Sequence, residues 1–222
     1  KLPLGIARDV YLSMIQPDNR MTAEKVPLGQ KLFLEKRLSV DRTVSCATCH
    51  DPASGFATPD PVALGISRKA GARNSPTVLN AMFFEAQFWD GRAATLEEQS
   101  KLPIINPVEM GMDAHTTIVS RLREVPEYQR EFERVFPGEG ISIDTVAKAI
   151  AAFERTRLSG NSPFDRFMAG DTKAISESAR RGWDLFNGKA RCVSCHTFNA
   201  TAPFFTNNKF HNIGVAAKDR NF

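Results

Sequence analysis

Cysteine is scarce in this chain, with four in 222 residues. All four fall inside two short motifs, which leaves none for a disulfide framework. No apolar run is long enough to cross a membrane. Alternation of apolar and polar residues is rare, so little sheet is expected and the fold class reads as all-α. Charge of one sign is also missing: 29 Lys and Arg face 25 Asp and Glu, for a formal +4. The basic residues are dispersed and match no nucleic-acid motif, so nucleic acid is not an expected partner. Histidine is rare too. There are four, and none lies between His50 and His115. The chain opens Lys-Leu-Pro-Leu, with nothing signal-like, as a processed mature protein would. With 42% hydrophobic residues, a chain of this length can hold one or two domains with real cores.

What is present is a repeated pentapeptide, Cys46-Ala-Thr-Cys49-His50 and Cys192-Val-Ser-Cys195-His196. Cys-x-x-Cys-His is the attachment signature of c-type haem. The two thiols bond to the haem edge, and the adjacent histidine reaches the iron as proximal ligand. A thioredoxin-like dithiol would need a βαβ context that is not visible. A zinc site pooling both pairs would span far more chain than such sites do. Neither alternative explains a histidine after the second cysteine both times. Two covalently bound haems, ligated by His50 and His196, are therefore expected. Four haem propionates would add roughly −4 and bring the loaded protein near neutrality. Covalent haem attachment implies assembly outside the cytoplasm, hence a periplasmic address.

Helical patterns dominate. Residues 23–36 carry Val26, Leu28, Leu32 and Phe33 on one face. Thr95-Leu-Glu-Glu98 reads as a capping box, and Asp113 as the cap of a segment through Leu122. Pro126 suits the first turn of a helix to Phe136. The clearest helix is 142–158, capped by Ser142 with Ile143, Val146, Ile150 and Phe153 at helical spacing. Ser176 opens another that ends at Asn187-Gly188. Residues 41–75 and 197–222 read as ordered loops. Gly29-Gln-Lys-Leu-Phe33 precedes the first haem motif and Gly182-Trp-Asp-Leu-Phe186 the second, which is the layout of two cytochrome c-like domains. The turn-rich stretch Leu158–Pro163 marks the boundary. The expected domains are 1–160, a haem domain carrying a large insertion, and 161–222, a smaller haem domain.

The insertion reads Arg73-Asn-Ser-Pro-Thr77, Gln87-Phe-Trp-Asp-Gly-Arg-Ala93, Leu96-Glu-Glu-Gln99 and Asn106-Pro-Val-Glu-Met110. With the two haem motifs, this resembles the bacterial dihaem cytochrome c peroxidase family, which includes the MauG-type enzymes. The resemblance runs in order over essentially the whole chain. It implies a peroxidatic first haem at His50 and an electron-transfer second haem at His196. Glu109 matches the family's distal acid–base glutamate and Gln99 its distal glutamine. Trp89 matches the tryptophan between the haems, and Asn74 a ligand of a calcium ion. Other residues invite blander readings: Trp183, Met110, Met112 and Met168 as packing, His115 as a surface residue, His211 as a haem-edge contact.

Two departures stand out. The family's peroxidases place an iron-ligating histidine shortly before Arg-Asn-Ser-Pro; counted without a gap, that position is Ile66. Isoleucine cannot ligate iron, so the first haem is expected to be open without reductive activation. The distal ligand of the second iron, methionine in the peroxidases and tyrosine in the MauG type, falls beyond Phe222, so the second domain is expected to continue. The resemblance implies reduction of hydrogen peroxide to water with electrons from a small cytochrome c or cupredoxin. Its alternative is MauG-type chemistry, in which peroxide-derived high-valent iron oxidises residues of a partner protein during cofactor maturation. A dihaem electron carrier without enzymatic activity would give Glu109 and Gln99 no role. A homodimer is among the assemblies the resemblance allows.

Overall fold

The structure, a computed structural model, describes residues 1–214. Among them run nine α-helices: α1 (Arg8–Ser13), α2 (Lys25–Phe33), α3 (Cys46–Cys49), α4 (Leu96–Ile105), α5 (His115–Arg123), α6 (Pro126–Val135), α7 (Ile143–Glu154), α8 (Pro163–Met168) and α9 (Glu177–Asn187). Strand pairing among the described residues is confined to isolated bridges, such as Asp51 with Ala57 and Gln87 with Ala93. The all-α expectation holds.

The chain divides into two compact units. Met14–Ser159 forms one, and Lys1–Ser13 joins the segment from Gly160 onward in the other. The break falls inside the turn-rich stretch 158–163. The first thirteen residues lie outside the first unit because their backbone bonds lead elsewhere. Leu4 N donates to Asn161 Oδ1 at 2.7 Å, Asn161 N to Leu4 O at 3.0 Å and Ala7 N to Thr201 O at 3.0 Å.

In the larger unit the core forms where α2 crosses α7. Leu28, Leu32 and Phe33 meet Val146, Ile150 and Phe153, all at most 3% exposed. Each such side chain contributes about 1.5–3 kcal/mol by leaving water. Gly29 makes the crossing possible: a Cβ there would sit 1.9 Å from Ala149 O and 2.9 Å from Phe153 Cβ. Gly29 is thus a close-approach residue, whereas a Cβ at its repeat counterpart Gly182 would meet nothing within 4 Å. Helix α4 also packs on α7, and a buried ion pair joins them. Arg155, 1% exposed, grips Glu97 with two bonds of 2.6 and 2.9 Å. Asn19, fully buried, donates to Glu97 Oε1 at 2.6 Å and to Lys148 O at 2.9 Å, and accepts from Lys25 Nζ at 3.0 Å.

Local capping explains most helix starts. Ser142 Oγ accepts from Thr145 N at 3.1 Å at the start of α7, and Ser176 Oγ accepts from Ala179 N at the start of α9. Thr95 Oγ1 accepts from Glu98 N, while Glu98 reaches past the cap to Ala94 N. Asp113 does not cap α5. Ala114 holds that position with φ −155°, and Asp113 Oδ1 instead accepts from Thr117 Oγ1 at 2.7 Å. Helix α7 stops at Glu154, short of Leu158. Thr156 Oγ1 turns back to donate to Phe153 O at 2.6 Å, a side-chain bond that competes with the helix ladder. The loop expected over 197–222 is irregular as far as Gly214; the remainder lies outside the described residues.

Candidate active site

The first Cys-x-x-Cys-His folds as a single helical turn, α3, whose i, i+3 spacing brings both sulfurs to one side. Ser45 N donates to Thr48 Oγ1 at 2.9 Å, which fixes the start of the turn. His50 N donates to Cys46 O at 2.9 Å, which closes it. The His50 ring follows directly. Its Nδ1 lies 2.9 Å from Pro76 O and 3.2 Å from Phe56 O. A carbonyl can only accept, so the proton belongs on Nδ1 and the Nε2 lone pair is free. Burial lowers the imidazole pKa and keeps the ring neutral. A neutral imidazole with its far nitrogen pinned by carbonyls is the usual state of a metal-ligating histidine.

Cys46, Cys49 and His50 open onto one cavity, and Gln99, Glu109 and Trp89 line the same cavity. Cys46 and Cys49, both free thiols, and His50, whose Nε2 is unengaged, line that one cavity, so the donor set fits a covalently attached haem ligated by one histidine. Gln99 stands on α4 and is half-buried. Glu109 sits in the Asn-Pro-Val-Glu turn that follows α4. Asn106 shapes this turn, because its Oδ1 accepts from Val108 N and its Nδ2 donates to Glu109 Oε1, both at 2.9 Å. Burial raises the Glu109 pKa, and the charge of Arg92 opposes the rise only in part. The carboxyl is therefore shifted towards neutrality, where acid–base exchange works best.

Trp89 is 58% exposed, not core, and its Nε1 donates to Asn74 O at 2.7 Å. Arg73 and Arg92 both grip Asp90, at 2.9 and 2.8 Å, and the Arg92 guanidinium stacks 3.5 Å from the centre of the Phe88 ring. These contacts hold the Phe-Trp-Asp-Gly-Arg turn at the cavity. Ile66 is 7% exposed, packed in the core, and its N–H donates to Glu109 O at 2.9 Å. Gly65 permits that approach, since a Cβ there would lie 1.9 Å from Val108 O. Ile66 thus supports the Glu109 turn from behind and offers nothing to a metal.

The smaller unit repeats the arrangement. His196 Nδ1 faces Phe205 O at 3.1 Å as His50 faces Phe56 O. Both phenylalanines hold left-handed backbone, φ 58° at Phe56 and 54° at Phe205, a conformation that costs energy in a bulky residue. Phe33 lies 6.5 Å from the His50 ring and 6.2 Å from Phe56. Phe186 lies 6.4 Å from His196 and 5.7 Å from Phe205. The repeat seen in sequence is a repeat in space.

Residues 23–173 match the family model described as di-haem cytochrome c peroxidase. The chain belongs to that family. It is 43% identical over 203 residues to the methylamine utilization protein MauG of Methylophilus methylotrophus, covering 90% of this chain and 59% of that protein. It is 44% identical over 174 residues to the cytochrome c551 peroxidase of Pseudomonas aeruginosa, covering 76% and 49%. A crystal structure of a MauG-like protein associated with microbial copper homeostasis superposes with a TM-score of 0.77 at 33% identity, covering 89% of this chain and 59% of that one. The chain spans about half the length of the curated relatives it matches. Two haems are what the family's description implies.

The remaining candidates of this dihaem family member divide by environment. Asn74 Nδ2 donates to Thr58 O at 3.2 Å and Asp60 O at 2.7 Å. Among the described residues no cluster of three His, Cys, Asp or Glu stands ready for a metal ion, so a cation at Asn74 would rely on carbonyl and amide oxygens. Met110 and Met112 are 3% exposed core residues, and Met168 is half-buried on α8. His115 Nε2 is tied to Lys101 O at 2.9 Å. His211 is exposed and pairs with the Asn207 side chain. Trp183 packs among Phe164, Phe186 and Phe198 at 4.9, 5.6 and 4.9 Å. Sequence reasoning did not foresee the Pro76 and Phe56 carbonyls, because backbone acceptors leave no side-chain signature. It also passed over Glu154, a buried carboxyl in the cavity wall. Its signal was available: a glutamate at the end of the most apolar helix.

Proposed function

We propose that this protein is a periplasmic dihaem c-type peroxidase that reduces hydrogen peroxide to water with electrons from a small redox protein. The observation that carries this reading is the single cavity lined by Cys46, Cys49, His50, Gln99 and Glu109. A haem bound there supplies an iron that coordinates peroxide and exchanges electrons. Cys46 and Cys49 would anchor it, and His50 Nε2 would ligate its iron. Its orientation is fixed by Pro76 O and Phe56 O. Glu109 uses Oε2, the oxygen not engaged by Asn106, to take the proton from one peroxide oxygen and return it to the other. Gln99 orients peroxide by hydrogen bonding. Overall, one peroxide, two protons and two electrons give two waters. Cys192, Cys195 and His196 would hold the second haem, which would receive electrons, and the resemblance gives Trp89 a relay role. Asn74, with its amide turned to present Oδ1, and the Thr58 and Asp60 carbonyls would be the oxygens offered to a calcium ion.

A second reading is favoured by Ile66. With no histidine to occupy the first iron, oxidising equivalents from peroxide are spent on residues of a partner protein, as in the MauG type. Sequence identity does not choose between the two readings, since 43% and 44% to two MauG proteins are matched by 44% to the cytochrome c551 peroxidase. Steady-state peroxide consumption with a reduced small cytochrome separates the two. Sustained turnover supports the peroxidase. Negligible turnover, with peroxide-dependent oxidation of a partner protein, supports the maturation role and refutes the first reading.

A further inference from the structure

A second carboxyl belongs to the cavity of the larger unit, and the chemistry above leaves it unused. Glu154, the last residue of α7, lines the cavity and is 7% exposed. Its Oε2 is sealed from solvent and has no hydrogen-bond partner. An ionised carboxylate cannot remain so at low cost. Its neighbour in sequence, Arg155, makes no hydrogen bond to it: two guanidinium nitrogens hold Glu97 at 2.6 and 2.9 Å, and the buried Nε has no partner either. The groups facing Glu154 are few. α4 contributes the Glu97 carboxylate, α7 itself contributes Arg155, and α3 contributes the Cys46 thiol, which feels the Glu154 charge. Burial raises the Glu154 pKa most, Arg155 opposes, Glu97 adds to the rise, and the result is pushed up to about 8.

A carboxyl that holds its proton in the wall of a haem cavity senses the iron's charge through a medium that screens poorly. We propose that Glu154 is a redox-linked proton site of the first haem, binding one proton as the iron gains an electron and releasing it as the electron leaves. This rests on reading the cavity as a haem site. The balance is simple. Ferric iron takes one electron from the donor protein, or from an electrode, and becomes ferrous. The Glu154 carboxylate takes one proton from solvent and becomes the acid. Oxidation adds positive charge and favours the carboxylate, so the Glu154 pKa is lower in the oxidised protein than in the reduced one. Between those two values reduction consumes a proton. The midpoint potential of the first haem therefore falls as pH rises, by up to about 59 mV per pH unit.

The test is a spectroelectrochemical titration of the haem-loaded protein from pH 6 to pH 10 (on the order of the neutral-to-alkaline range that brackets such groups). The wild type and Glu109→Gln should show the falling potential at the first haem, and Glu154→Gln should flatten it. Redox-difference infrared spectra should carry a protonated-carboxyl band that the Glu154→Gln protein lacks. An unchanged slope in Glu154→Gln overturns the proposal, because haem propionates or Glu109 would then be the titrating groups. Should the variant fail to take up haem, the wild-type infrared spectrum decides. A redox-sensitive carboxyl band retained in Glu109→Gln supports Glu154, and no such band overturns it. Failure of haem to attach at Cys46 and Cys49 in the wild type would instead strike the haem-site reading itself.

Discussion

Replacing Gly29 with alanine should weaken the larger unit by about 2 kcal/mol or more. In an exposed helix the same change would stabilise by about 1 kcal/mol, since alanine is the better helix former. Here the new Cβ would stand 1.9 Å from Ala149 O, 2.7 Å from Ala149 C and 2.9 Å from Phe153 Cβ. No rotamer relieves a Cβ clash with backbone, so α2 and α7 must separate by about 1 Å to restore ordinary contact. A gap of that size forfeits a quarter to a half of the attraction between facing atoms. The seam at risk holds Leu28, Leu32, Phe33, Val146, Ile150 and Phe153. Overpacking of this kind costs about 1–3 kcal/mol, and the aromatic contact of Phe33 with Phe153 at 5.2 Å is lost in addition. Urea unfolding of wild type and Gly29→Ala, followed by tryptophan-independent far-ultraviolet circular dichroism, measures it. A variant as stable as wild type, with an unchanged slope, would refute the close-approach argument.

Glu109→Gln keeps the Asn106 contact but removes the exchangeable proton, and should slow the reaction with peroxide by about 10²–10⁴-fold; stopped-flow absorbance of the haem bands is the check. Arg155→Met strands Glu97 in a half-buried site and should cost about 3–5 kcal/mol, read from the urea midpoint. The pair also sets an acid limb. Burial pushes the Glu97 carboxyl up, but the Arg155 and Asn19 bonds outweigh it and leave its pKa below the ordinary value of 4.5. Its stabilisation is therefore complete above about pH 4.5 and is lost as pH falls through the lower folded value. In Glu97→Gln that limb should be shallower than in wild type; identical acid unfolding profiles would remove Glu97 from the account.

Much of the fold was legible because its signals were local. Ser142 with Thr145 and Ser176 with Ala179 are caps that the sequence spells out in neighbouring letters. Asp113 misled, since a carboxylate one residue early can satisfy Thr117 instead of the helix end. The division after Ser159 falls within the turn residues 158–163. The placement of Lys1–Ser13 was not legible, because it depends on backbone bonds to Asn161 and Thr201. Residues that line the cavity of the larger unit were legible, Cys46, Cys49 and His50 in the motif and Gln99 and Glu109 through the resemblance. What aims them was hidden. The Pro76 and Phe56 carbonyls are main-chain atoms, the Gly29 clash is a meeting of two distant helices, and Glu154 is distinguished only by what fails to bond it.

In the function proposed, a haem anchored at His50 keeps an open face, because position 66, where the resemblance places a ligating histidine, carries isoleucine. The direct measurement is the electron paramagnetic resonance spectrum of the fully oxidised, haem-loaded protein. A high-spin ferric signal from the first haem, lost or shifted when a small anionic ligand is added, is the predicted result. Two low-spin ferric haems with no high-spin signal would contradict the account.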